Sequence, residues 1–174
     1  VACLVGSEMC IRDSVMSDIL LGAHYSGKAI NISKTTAPHA LSYSITSFFG
    51  IPHGHAVGMT LGEFFIINEQ LASMNAVNCR DLSLHMLQMK SLRELLGWGD
   101  CISCNDRWKS IMKNLGLNMQ IKLNDGQEGV VNRLADSVNT ERLSNNPVSL
   151  TRENIIKLYL SLIHISEPTR QATI

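Results

Sequence analysis

Two histidines dominate any chemical reading of this chain. His39 lies in Thr36-Ala37-Pro38-His39-Ala40-Leu41-Ser42-Tyr43, and His53 in Ile51-Pro52-His53-Gly54-His55-Ala56-Val57, 14 positions later. The spacing predicts one imidazole within a helix and the other at the start of the next, across a proline turn. Consecutive antiparallel helices can bring such positions to one cavity. At a helix start the amide dipoles disfavour a protonated ring, which biases His53 toward the neutral form that binds a cation. Pro52 fixes the approach of the chain, and Gly54 lets the backbone pass close to a ligand. From residue types and spacing alone, a metal site and a pair of satisfied core or surface histidines both stay open.

Other reactive residues read more blandly. His55, two positions past His53, falls on another side of the helix and is expected to line the cleft or a neighbour. Asp81 and His85 are spaced i, i+4, which could complete a four-ligand site, but a pair on a helix surface is the expected outcome. Cys101 and Cys104 form a lone C-x-x-C with no second pair, so two partly buried thiols are expected rather than zinc or redox work. Lys28 and Lys34 could approach a phosphate but are expected to be solvated. The methionines read as core filler.

The elements that must position these groups are helical. Ile19, Leu20, Ala23, Ala29 and Ile30 suggest a helix over about 17–31, with small residues that permit close packing. A second helix is expected over about 36–48, broken by Gly50-Ile51-Pro52. A third follows Pro52 and is apolar nearly all round, the pattern of a central buried helix. The Leu82–Leu96 stretch predicts a long helix capped by Gly97. Trp108, Ile111, Met112 and Leu115 predict a shorter one closed by Gly116. Asp125 is expected to cap a helix through Val138, and Thr151 a last helix through Leu160. A weak strand signal sits at Met119-Gln120-Ile121-Lys122-Leu123. The fold class is all-α, a helical bundle in one domain over 15–160.

Bulk properties narrow the function. The chain has 174 residues, with 15 Lys plus Arg against 15 Asp plus Glu. Without a field of one sign or a basic stripe, nucleic acid is not an expected partner. No run approaches the roughly 18 apolar residues of a membrane span, and the opening segment is too short for a secretory signal. Five cysteines at irregular spacing do not form a disulfide framework, so a reducing cytoplasm is expected. Residues 1–14 and 161–174 read as non-native tails. Segments 7–14 and 161–172 resemble translated sequencing-adapter read-through, which would leave Cys3, Cys10 and His164 without function and the chain truncated on both sides.

Gly27-Lys28-Ala29-Ile30-Asn31-Ile32-Ser33-Lys34-Thr35-Thr36-Ala37-Pro38-His39, then Phe49-Gly50-Ile51-Pro52-His53-Gly54-His55-Ala56-Val57, resembles the signature of iron-containing (group III) alcohol dehydrogenases. Arg142-Leu143-Ser144-Asn145-Asn146-Pro147 resembles the end of that family, so the likeness spans most of 15–160. It implies the C-terminal helical domain of a dehydroquinate-synthase-like two-domain enzyme whose N-terminal α/β domain binds NAD(P). In that family one Asp and three His hold a divalent metal between the domains. His39 and His53 match two of them. The other Asp and His, and the glycine-rich nucleotide loop, would lie upstream of Val15.

The implied activity is hydride transfer between NAD(P) and a small alcohol or aldehyde at Fe²⁺ or Zn²⁺, in a full-length enzyme expected to form homo-oligomers. Many relatives carry a further histidine four residues after the first ligand. Tyr43 stands there instead, on the helix face of His39, and is the expected catalytic hydroxyl. Alternatives are a dehydroquinate-synthase-like cyclase and a non-catalytic helical module. The fragment by itself is expected to have no turnover.

Overall fold

The computed structural model describes residues 2–72, 81–123 and 129–164, and within these the side chains from 13 to 163. The chain divides into two compact units, residues 1–35 and 36–174. The first is one helix, α1 (Ala2–Ile32). It runs unbroken through 2–14 rather than starting near 17. Its end is marked by the Ser33 N–H and Oγ, which both donate to the Ala29 carbonyl at 2.8 and 3.1 Å.

The second unit holds α2 (Ala37–Phe49), α3 (His53–Gln70), α4 (Leu82–Leu96), α5 (Cys101–Asn114), α6 (Val130–Asp136), α7 (Thr140–Leu143) and α8 (Arg152–Leu162). Among the described residues the only strand pairing is a two-residue parallel ladder. In it β1 (Ile121–Lys122) aligns Ile121 with Ile163 and Lys122 with His164 of β2 (Ile163–His164). The class is all-α, as the periodicity predicts. No described helix is long and apolar enough to cross a membrane.

Local chemistry sets the helix ends. Pro38 occupies the first turn of α2, where a missing N–H costs nothing. Gly50 closes α2 at φ 66°, a left-handed conformation open to glycine without strain, and donates to the Thr46 carbonyl at 2.9 Å. Pro52 then starts α3. Gly97 ends α4 as expected. Thr151 and Asn154 form a reciprocal capping box at α8.

Two boundaries differ from the sequence reading. α5 begins at Cys101, because the Asp100 side chain accepts from the Ser103 N–H at 2.8 Å. α6 starts after Gly129, and Asp125 lies outside the described residues.

α3 is the central helix, packed on one side by α2 and on another by α5. Ala56, Met59 and Phe64 join Ala37, Ala40, Leu41, Ile45, Leu134 and Tyr159 in the main core. Against α5 the fit depends on Gly62, where a Cβ would stand 2.5 Å from Asn105 Oδ1. The Trp108 indole N–H donates to the Gly58 carbonyl at 2.7 Å, and Asn105 Nδ2 and Lys109 Nζ donate to Glu63 at 3.0 and 2.7 Å. Burial pushes the Glu63 carboxyl up, but those two bonds outweigh it and hold the acid below its ordinary value. On the opposite side, the fully buried Tyr159 of α8 donates to the Leu41 carbonyl of α2 at 3.1 Å. Tyr159 thus fixes the helix that carries His39.

Candidate metal and substrate site

His39 and His53 each occupy the first turn of a helix, His39 in α2 and His53 as the first residue of α3. The turn at Gly50-Ile51-Pro52 brings the two starts together. Their ring centroids are 5.1 Å apart in an edge-to-face arrangement with a 68° interplanar angle. His39 is half-buried and His53 is exposed. Burial is the main influence lowering the His39 pKa, with the His53 ring and the Arg142 guanidinium pushing the same way. Each influence favours the neutral imidazole.

Ser42 decides which nitrogen of His53 is free. Its Oγ donates to the His39 carbonyl at 2.8 Å, which uses the hydroxyl's one hydrogen. The same Oγ lies 3.2 Å from His53 Nδ1 and can only accept there. Nδ1 therefore carries the hydrogen, and the lone pair is on Nε2. A buried oxygen that fixes the tautomer of a neighbouring imidazole is the usual support for a metal-binding histidine.

Tyr43, one turn on from His39, is 46% exposed and lies beside His53, with ring centroids 5.0 Å apart. Arg142 of α7 places its Cζ 4.5 Å from the centroid of the Tyr43 ring. The site is thus a cluster in which His53 neighbours both His39 and Tyr43, and Arg142 neighbours Tyr43. Two imidazoles bound at about 2.1 Å to one tetrahedral ion have ring centroids roughly 5 Å apart. The observed spacing and the lowered His39 pKa fit that use. Among the described residues no third His, Cys, Asp or Glu joins them, so the pair offers half of a four-ligand shell.

The remaining sequence candidates fall elsewhere. His55 points away from the pair: its Nε2 lies 2.7 Å from the Asn118 carbonyl, on the wall of a cavity of about 640 Å³ shared with Phe48, Phe49 and Lys122. Asp81 and His85 are structural, as expected, but His85 is not on the surface. Asp81 caps α4 by accepting from the Leu84 N–H at 3.2 Å, while His85 is buried and bonded through Nε2 to the Asn68 carbonyl at 2.7 Å. Cys101 and Cys104 are buried free thiols.

The order of these features along the chain matches a known pattern. The model of the family described as Fe-containing alcohol dehydrogenase, C-terminal, matches residues 9–163. The chain belongs to this family. A phosphonoacetaldehyde reductase of Streptomyces viridochromogenes is 29% identical over 136 residues, covering 78% of this chain and 33% of the relative. The crystal structure of sulfoacetaldehyde reductase from Bifidobacterium kashiwanohense in complex with NAD+ superposes with a TM-score of 0.54 at 26% identity. That match covers 74% of this chain and 31% of the other. This member of the Fe-containing alcohol dehydrogenases therefore spans about a third of the length of both proteins.

Within the family frame, two parts of the site escape a reading of the motifs. Ser42 sits inside the Thr36-to-Tyr43 stretch that carries His39, yet nothing in its type marks it as a support for His53. Arg142 belongs to the late Arg-Leu-Ser-Asn-Asn-Pro segment, whose spatial position no local pattern reveals. The structure shows how that segment is held. Asn139 Oδ1 accepts from the Arg142 N–H at 2.8 Å, and the buried Asn146 donates to Asn68 Oδ1 at 3.0 Å and to the Val148 carbonyl at 2.8 Å.

Proposed function

We propose that this chain is the helical, metal-holding part of an NAD(P)-dependent reductase of small aldehydes, in which His39 and His53 are two of the metal ligands. The observation that carries the reading is the pair of converging first-turn imidazoles, one with its tautomer set by Ser42. Two relatives named as acetaldehyde-derivative reductases, one of them in complex with NAD+, support the substrate and cofactor class. Fe²⁺ or Zn²⁺ suits two imidazoles completed by donors from outside this pair, and such an ion supplies Lewis-acid polarisation of a carbonyl oxygen.

The chain's own residues do the rest. His39 and His53 hold and orient, and the neutral state of His39 keeps it from losing its lone pair to a proton. Reduction of an aldehyde by NAD(P)H takes up one hydride on carbon and one proton on oxygen, giving the alcohol and NAD(P)+. In this reading Tyr43, whose ring lies alongside His53, is the hydroxyl that holds or passes that proton. The free thiols of Cys101 and Cys104 support a reducing, cytoplasmic setting.

The test uses the full-length gene product. Metal content after dialysis, with NADH- and NADPH-dependent reduction of an aldehyde panel, is compared for the wild type, His39→Ala and His53→Ala. The expected result is loss of bound metal and of turnover in both variants. Full metal retention in both would reduce the histidines to a structural pair and favour a non-catalytic helical module. Metal-dependent turnover of a sugar phosphate in place of aldehydes would favour a cyclase.

A further inference from the structure

Arg142 is held in place by its surroundings yet left without an acidic partner. Arg93 pairs with Glu69, and Arg152 bonds Asp136 at 2.8 Å. Among the described residues, no carboxylate lies within ion-pair distance of Arg142. Its guanidinium lies over Tyr43 instead. A guanidinium over a ring keeps the N–H donors at its edge for a bidentate acceptor. The backbone beneath it is fixed by Asn139 and by the buried Asn146, so little ordering remains to be done on binding.

The steps from Arg142 to Tyr43 and from Tyr43 to His53 are 4.5 and 5.0 Å. Arg142 and His53 therefore flank the same tyrosine ring, within reach of one short molecule. We propose that Arg142 anchors the acid end of the substrate: a tetrahedral oxyanion, phosphonate or sulfonate, on a short aldehyde whose carbonyl end reaches His39 and His53. This rests on the aldehyde-reductase reading above and names its substrate class. Tyr43 then serves two ends of one molecule, as the platform under Arg142 and as the hydroxyl near the carbonyl.

The experiment has two arms on the full-length protein. In the first, binding of ethylphosphonate and of ethanesulfonate, neither of which can be reduced, is measured by calorimetry for the wild type, Arg142→Ala and Arg142→Lys. The wild type is expected to bind at least one; Arg142→Ala weakens that binding roughly 10- to 100-fold, and the lysine variant recovers part of it. The two probes separate phosphonate from sulfonate recognition. In the second arm, the ratio of kcat/KM for the acid-bearing aldehyde over propanal is expected to fall by a similar factor in Arg142→Ala, mainly through KM. An unchanged ratio, or wild-type protein that binds neither anion, overturns the assignment. If no aldehyde is reduced but anion binding still depends on Arg142, the reductase reading fails while the anion site stands.

Discussion

Ser42 Oγ lies 3.2 Å from His53 Nδ1 while donating its hydrogen to the His39 carbonyl at 2.8 Å. One buried hydroxyl thus ties the two histidines into a unit, taking its orientation from the backbone of one and setting the tautomer of the other. Removing it should loosen His53 without changing either imidazole. Ser42→Ala in the full-length enzyme is expected to weaken metal binding roughly 10-fold or more, as losses of outer-sphere partners do. Competition with a chelating dye measures this. Nitrogen-15 shifts of His53 in the metal-free protein should show a single Nδ1–H tautomer in the wild type and a mixture in the variant. A single tautomer in both would contradict the role given to Ser42.

His39 links the site to pH. Its pKa is held below the ordinary value of 6.5, by burial first and then by His53 and Arg142. A base with a lowered folded-state pKa takes up its proton more readily when unfolded. Its stabilising contribution is therefore complete above about pH 6.5 and lost as pH falls below it. The melting temperature of wild-type metal-free protein should drop further between pH 7.5 and 5 than that of His39→Gln. Arg142→Ala should narrow the gap by relieving part of the shift. Equal acid sensitivity in all three proteins would count against it.

How much of this was legible in advance follows from the range of the forces. Gly50-Ile51-Pro52, Gly97 and Thr151 mark helix ends because turns and caps are local, and α2, α3, α4 and α8 are found where those residues place them. The four-residue α7 is too short to show a period. His39 and His53 were legible as a pair because one proline turn separates them. Arg142 over Tyr43 was not, since that contact joins distant segments through the packing of α7 on α2. His85 shows the converse. Its i, i+4 spacing from Asp81 looks like a surface pair, and only the fold reveals that it is buried against the Asn68 carbonyl.

The α2–α8 link predicts a second pH effect at the alkaline end. Burial pushes the Tyr159 hydroxyl up to about 12. Folded protein therefore keeps that proton at pH values where the unfolded chain, near 10, gives it up. The contribution is intact below about pH 10 and declines as pH rises toward 12. Tyr159→Phe should lose about 1–2 kcal/mol at pH 8, because the Leu41 carbonyl loses its donor. The deficit should shrink at pH 11. Urea unfolding at the two pH values reads both quantities, and a deficit that is the same at each would refute the titration of Tyr159.

Packing of α3 on α5 gives a test independent of titration. A methyl at position 62 would stand 2.5 Å from Asn105 Oδ1 and 3.1 Å from Trp108 Cδ1, whereas one at position 54 would meet nothing within 4 Å. In a helix with free space, alanine is favoured over glycine by up to about 1 kcal/mol. At position 62 overpacking reverses the sign, with an expected cost of about 1–3 kcal/mol. Asn105 must move, and its bond to Glu63 moves with it. Chemical denaturation should therefore show Gly62→Ala destabilised and Gly54→Ala unchanged or slightly more stable, with equal denaturant slopes. A neutral Gly62→Ala would mean that α5 can back away from α3 at little cost, and that the close contact is not what holds the helix bearing His53.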